Sequence, residues 1–262
     1  MTVDIETFKA RSRPVSLDGI DLDAFRRRPL DPDTLRCLQY MHDVEYHTVC
    51  YLRDLLVTPA HRDPEVTTFL TLWNVEEYFH GEAIGAVLAV HGCLGGADRV
   101  RRTRGALGWK DRLSPIAHSL ASAVAGVSYT AVHMAWGAIN EWTAQAAYAR
   151  LSTLADHPAL SDILVRLMRQ EGRHADFYAR QAAERLVDDR SARLLTRTSL
   201  RRWWAPVGST LLPRSEVAFM AQHLFSGPDG RAMTERIDRR LDRLPGLGGL
   251  SLATRAAGHY SR

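Results

Sequence analysis

Two short segments, Glu77-Tyr78-Phe79-His80 and Glu171-Gly172-Arg173-His174, each place a carboxylate three residues before an imidazole. On a helix this spacing stacks both side chains over one turn, about 4.5 Å apart along the axis, within reach of a single metal ion. Glu45 precedes the first segment and Glu141 the second, at nearly equal separations. All six residues interrupt apolar stripes of helical period. The stripes run Leu38, Met41, Glu45, Val49, Leu52; Phe69, Trp73, Glu77, His80, Ile84, Val87; Met134, Ala138, Glu141, Gln145, Tyr148; and Leu164, Leu167, Glu171, His174, Phe177. A residue in phase with such a stripe faces the interior, so four helices each aim a Glu inward.

A buried ionised carboxylate without a partner costs several kcal/mol, and four that converge repel one another. No lysine lies on these faces, so the neutralising charge is expected to be metal. Four carboxylates and two imidazoles suit two ions, one His to each, as in the carboxylate-rich bundles that hold iron or manganese. The competing reading, surface acids paired with Arg53, Arg169 or Arg173, fails on the phase of the stripes. By the same test Glu76, Glu82, Asp43 and Asp176 fall off the stripes and are expected at the surface or beside the ligands. His42, His47, His91, His118 and His133 lack an acid at ligand spacing and are read as ordinary core or surface histidines.

The elements that must carry these groups are helices, because strand-like alternation is nearly missing. Asp31-Pro32-Asp33 opens a helix to about Val57 and Asp63-Pro64 a second to about His91-Gly92, each with a cap followed by a first-turn proline. The Gly- and Arg-rich stretch 92–108 reads as a loop. Ser114-Pro115 then opens a third helix to about Leu154, bent near Gly126, and His157-Pro158 a fourth to about Val187. Shorter helices are expected at about 191–204, 215–225 and 229–244. The expected fold is all-α, one domain over 1–262: a ferritin-like four-helix bundle at 31–187, accessory helices at 188–244 and a flexible tail at 245–262.

Bulk properties narrow the class. The chain of 262 residues is 45% hydrophobic and 24% charged, which excludes a disordered or fibrous protein. The net charge of +4 comes almost wholly from arginine and brings no nucleic-acid-binding motif with it, so a nucleic-acid partner is not expected. Cys37, Cys50 and Cys93 form neither a disulfide framework nor a CxxC, and the first thirteen residues contain no apolar run; a cytoplasmic protein is expected. Leu113 to Asn140 contains no charged residue, but its Ala, Ser, Gly, Thr and His content suits a helix buried in protein better than a membrane span.

Around the two motifs the chain resembles the soluble acyl-carrier-protein desaturases, particularly the small bacterial ones. Trp73-Asn74-Val75-Glu76-Glu77-Tyr78-Phe79-His80-Gly81-Glu82 is similar to their Trp-x-x-Glu-Glu-x-x-His-Gly-Asp, and Gln170-Glu171-Gly172-Arg173-His174 to their Asp-Glu-x-Arg-His. The resemblance spans about 35–186. It implies Glu45, Glu77, His80, Glu141, Glu171 and His174 as ligands of two iron ions (Fe2+/Fe3+) or a mixed Mn/Fe pair, with Trp73, Gln170 and Thr143 beside them. The family's Asp is Gln170 here, and its threonine one turn after the third-helix Glu falls at Ala144, with Thr143 one position away.

The activity so implied is dioxygen-dependent removal of hydrogen from an acyl chain, giving an alkene. The chain would arrive on acyl carrier protein or as another thioester, electrons would come from a ferredoxin-type donor, and the enzyme would be a homodimer. Met134, Tyr148, Leu167 and Phe177 are candidate channel residues. Arg99, Arg101, Arg102 and Arg104 are the candidate docking patch, with Arg193, Arg197, Arg201 and Arg202 before Trp203-Trp204 as a second. The same site could instead hydroxylate or N-oxygenate a tethered or free metabolite, and a ferritin-type iron-binding role is a further alternative.

Overall fold

The computed structural model describes residues 4–260, apart from the Lys110 side chain; Met1 to Val3 and Ser261 to Arg262 lie outside the described residues. In chain order the helices are α1 Ile5–Arg11, α2 Ala24–Arg27, α3 Pro32–Leu56, α4 Pro64–Val90, α5 Gly96–Gly105, α6 Trp109–Ala125, α7 Ser128–Ala155, α8 Pro158–Leu186, α9 Arg190–Trp203, α10 Arg214–Phe225, α11 Gly227–Leu241 and α12 Leu252–Tyr260. Among the described residues there is no strand, and the fold is all-α.

Local chemistry sets the ends of the four long helices. Asp31 and Asp63 accept backbone N–H groups of the first turns of α3 and α4, each followed by proline at the first helical position, and His157 caps α8 in the same way. The pairs α3/α4 and α7/α8 pack most closely, and together they form a four-helix bundle. Gly81, directly after His80, permits the α3/α4 approach: a Cβ there would lie 2.5 Å from the Tyr46 ring. Of the apolar stripes only Val49 fails, at 41% exposure, because the inward turn passes through Thr48, whose hydroxyl accepts from Asn74.

Five expectations need correction. Residues 96–105 are helix α5 rather than loop, held to α3 by Arg99, which pairs with buried Asp43. The third long helix is two helices, broken at Gly126, where φ is +60°. Its first part begins before Pro115, not at it. Pro115 cannot donate to the carbonyl four residues back, and that carbonyl, Asp111 O, accepts from Arg53 Nη2 instead. The charge-free stretch is well buried in α7, but α6 turns an apolar face outward.

The tail is also ordered rather than flexible. Leu247, Leu250, Leu252 and Ala253 are buried, and the Asp238 carboxylate of α11 accepts the N–H groups of Ala253 and Thr254 at the start of α12. Short leucine-bearing segments between glycines carry little helical period, so sequence reading gave them no packing partner. The described helices are too short or too polar to cross a membrane. The three cysteines are free.

Candidate metal centre

All six residues singled out by spacing converge at the middle of the bundle, each at 6% exposure or less. Their ligand atoms form two overlapping groups: Glu45, Glu77, His80 and Glu171 in one, Glu77, Glu141, Glu171 and His174 in the other. His80 Nδ1 lies 3.3 Å from Glu171, 3.7 Å from Glu77 and 3.8 Å from Glu45. His174 Nδ1 lies 3.0 Å from Glu77, 3.3 Å from Glu171 and 3.8 Å from Glu141. Glu77 and Glu171, from α4 and α8, are common to both groups.

Each imidazole is fixed by its other nitrogen. His80 Nε2 donates to Gln170 Oε1 at 2.8 Å, and Gln170 Nε2 donates to Arg13 O at 3.0 Å, which turns the amide oxygen toward the ring. His174 Nε2 donates to Glu76 Oε2 at 2.7 Å, while the other Glu76 oxygen accepts from Arg173 Nη2 and the Arg13 backbone N–H. Both Nδ1 atoms are thereby presented to the carboxylates, as histidine ligands require. The two remaining acids each meet a neutral donor: Trp73 Nε1 donates to Glu141 at 2.9 Å, and the Tyr148 hydroxyl donates to Glu45.

The donor set fits metal ions. Glu77 Oε1, Glu171 Oε1 and His80 Nδ1 have no partner in hydrogen-bonding geometry despite full burial, a situation that costs folding energy unless another group satisfies them. Without a cation, protons must take up the charge. Burial, followed by the Glu77 charge, pushes the Glu45 carboxyl well above its usual value, and burial with the Glu171 charge does the same to Glu141. Burial also opposes ionisation of Glu77 and Glu171, but the adjoining Glu45 carboxyl and the His174 and His80 imidazoles hold Glu77 well below the carboxylate range. The Glu141 carboxyl and the His174 and His80 imidazoles beside it hold Glu171 down to about 2. Burial disfavours charged imidazoles at His80 and His174, yet the carboxylates around them override it and raise both. Two divalent ions would displace these protons and leave every acid ionised.

The supporting residues are mixed in outcome. Trp73 and Gln170 touch ligands or their partners as expected. The Thr143 hydroxyl donates to Ile139 O at 2.7 Å and is tied to its own helix. Glu76 was legible only as off-stripe; it is fully buried and is the partner of His174. The segment through α1 and Arg13 carried no signal in the sequence, yet Phe8 packs on Phe69, Phe177 and His174, and Arg13 supplies groups to both Glu76 and Gln170.

One apolar cavity reaches the centre. Glu45, Met41 and Val44 of α3 and Ala144, Ala147 and Tyr148 of α7 form the inner wall, and Val217, Met220, Ile237 and Ala253 of α10, α11 and α12 form the outer one. Of the four candidate channel residues only Tyr148 lines it. Met134 and Phe177 belong to the packed core on the far side, where Phe177 stacks on Phe69, and Leu167 is buried between the helices. The stripe placed these residues inward but could not say which side of the bundle the accessory helices cover.

The docking arginines separate as well. Arg99 is bound to Asp43 and is the least exposed of the four; Arg104 is exposed but donates to Tyr46 O, Arg101 pairs with Asp98, and Arg102 is exposed. In the second patch Arg193 and Arg197 bond backbone carbonyls, and Arg201, Arg202 and Trp203 are exposed next to Trp204, which lines the cavity. A further trio, His47, Cys50 and Asp111, comes within ligand distance of one another, but Asp111 already faces the Arg53 guanidinium. Compared with models of protein families and with curated proteins, the chain matches none.

Proposed function

We propose that the protein is a non-haem di-iron oxidase that uses dioxygen to dehydrogenate an extended acyl chain held in the apolar cavity. The observation that carries this reading is the meeting of that cavity with Glu45, one of six buried ligand-type residues. Glu45, Glu77, His80, Glu141, Glu171 and His174 would hold two iron ions, or one manganese and one iron. When bound, the metal pair would supply the redox chemistry that activates dioxygen and takes hydrogen from an unactivated C–H bond.

The chain's own residues supply position and exclusion of water. Methyl and thioether groups of Met41, Ala144, Ala147, Val217 and Met220 offer an alkyl chain nothing but dispersion contacts and keep water from the centre. Tyr148 stands between chain and ligand, with its hydroxyl proton on Glu45. A thioester-linked chain on acyl carrier protein, a small acidic partner, would meet Arg201, Arg202 and Trp203 beside the cavity rather than the Arg99 group. A ferredoxin-type protein would deliver electrons. Hydroxylation is the second reading, favoured by one observation: the cavity wall beside Glu45 carries Ala144, and the nearby Thr143 hydroxyl is turned to Ile139.

The test is a reaction of iron-loaded, reduced protein with dioxygen and a panel of acyl-carrier-protein thioesters, followed by mass spectrometry. A product lighter by two hydrogens is expected. A product heavier by one oxygen selects hydroxylation, and a protein that takes up iron but consumes no dioxygen with any thioester refutes both and leaves the ferritin-type role.

A further inference from the structure

Helix α6 buries its polar side. Ser114 donates to Asp54, His118 meets the Tyr129 hydroxyl at 3.0 Å, Ser122 is buried, and Asp111 is turned in to the Arg53 guanidinium. Outward stand Trp109, Leu113, Ile116, Leu120 and Val124, at 68, 47, 55, 66 and 92% exposure, with Val127 at 80% just past the Gly126 break. At one residue per 100° of helix, the five outward residues of α6 fall within an arc of about 80°, and Asp111, His118 and Ser122 fall on the opposite side. The hydrophobic effect would turn such a helix over unless something apolar covers its outer side.

We infer that α6 is an interfacial helix that rests on an anionic lipid surface. The charges around the arc select that cover. Lys110 and Arg112 occupy the helical positions on its two shoulders, about 100° and 60° from Trp109. Cations so placed reach lipid phosphates while the apolar residues between them enter the boundary of the acyl region. Trp109 stands at this charged end of the helix, and tryptophan is the side chain that settles at the headgroup level. Just before it, Arg102 and Arg104 of α5 are exposed. Residues 96–127 hold six cations, Arg99, Arg101, Arg102, Arg104, Lys110 and Arg112, against two acids, Asp98 and Asp111, and those two are already paired with Arg101 and Arg53.

Other covers fit less well. The helix has 17 residues, about 25 Å of length, and α3 holds its inner side through Arg53 and Asp54, so it can lie along a bilayer but not cross one. A second copy would bring more cations to Arg102 and Arg112, with both acids of the same segment already spent on other partners. A bilayer carrying anionic headgroups meets the apolar arc and the basic shoulders together. The role so assigned is peripheral attachment to a membrane, separate from the reaction at the bundle centre.

Vesicle flotation of the full iron-loaded chain tests this. The wild type should float with vesicles of phosphatidylcholine and phosphatidylglycerol, bind phosphatidylcholine alone far more weakly, and come off the anionic vesicles as salt is raised. Leu120→Glu and Val124→Glu should each lose about 10- to 100-fold in partitioning. At 92% exposure Val124 is outside the core, so its variant keeps the test valid should Leu120→Glu lose helical circular dichroism. Arg112→Gln should lose about fivefold on the anionic vesicles and nothing on phosphatidylcholine. A wild type that floats with neither vesicle, Glu variants that float as well as the wild type, or equal binding to both vesicles would overturn the inference. A wild type that sediments as two chains without vesicles and is split by Val124→Glu would overturn it too, and give the face to a second copy. These readouts are independent of the reaction catalysed.

Discussion

The two halves of the candidate metal centre are built to one plan and differ in two respects. Each has a Glu-x-x-His, one further Glu capped by a neutral donor, and a share in Glu77 and Glu171. They differ in what holds the imidazole: His174 is backed by the Glu76 carboxylate, itself bound to Arg173, whereas His80 is backed by the amide of Gln170. They differ also in access, since the cavity touches Glu45 and not Glu141. A carboxylate behind a histidine makes it a stronger donor than an amide does. The half that faces the cavity therefore has the weaker imidazole, and the half sealed in the core has the stronger one.

The largest effect expected from breaking this plan is at its shared members. Glu171→Ala should cost both ions and all oxygen-dependent turnover, while Glu45→Ala or Glu141→Ala should leave measurable binding of the ion on the opposite side. Metal content per chain after desalting distinguishes the two classes. Equal loss in all three variants would mean that the halves are not separable.

Next in size is pH. His80 and His174 hold protons above their usual value of 6.5, and Glu45 and Glu141 hold theirs above 4.5, in the metal-free protein. The charged imidazoles stabilise the metal-free fold fully below about pH 6.5, and that contribution is lost as pH rises through their raised values. The two carboxyls act in the same direction, since the unfolded chain releases their protons from about pH 4.5 upward. Glu171, held down to about 2, stabilises above 4.5 and matters only in acid. Metal requires all these protons to leave, so its apparent affinity should rise about tenfold per pH unit for each proton displaced. Melting temperatures between about pH 6 and 9 should fall in chelator and rise with manganese(II). Parallel curves would contradict the proton count.

Smaller effects follow from the imidazole partners. Glu76→Gln should weaken metal binding at the His174 side about 10- to 100-fold. Gln170→Asp should strengthen the His80 side and make the halves alike. If Gln170 and Ala144 steer the outcome, Gln170→Asp with Ala144→Thr should raise the alkene fraction over oxygenated product at matched metal content. An unaltered ratio would move the explanation to the cavity shape.

Which parts of this plan were legible in the sequence follows from what sets them. The inward convergence of the six candidate ligands and the long helices were, because 3.6-residue periodicity carries both the helix and the direction each Glu faces. Proline after a capping Asp31, Asp63 or His157 fixed the starts of α3, α4 and α8 within a residue or two, whereas Pro115 lies inside α6. The partners of the histidines were only half legible: Gln170 sits next to a ligand in a motif, but Glu76 needs the α4/α8 crossing to bring it to His174. The cavity was not legible, because its outer wall comes from α10, α11 and α12, whose contacts with α3 and α7 bridge long sequence separations. The inverted α6 hid within a charge-free stretch whose other half is truly buried.

The smallest effect compares the two neutral donors, Trp73 on Glu141 and Tyr148 on Glu45. Each gives one hydrogen bond to a buried acid, so Trp73→Phe and Tyr148→Phe should each lose about 1–2 kcal/mol of metal affinity, several-fold to about thirtyfold. Their effects on substrate should part. Tyr148 lines the cavity, so its phenylalanine variant, which keeps the ring and removes the hydroxyl, should also shift the KM for acyl thioesters and the position of oxidation. Trp73 is 4% exposed and lies on the sealed side, so its variant should change kcat through metal loading alone, with KM unchanged once iron is restored to the wild-type content. Steady-state kinetics on iron-matched preparations reads this split directly. An equal KM shift in both variants would mean that substrate senses the centre as a whole, and the distinction drawn from cavity access would fall.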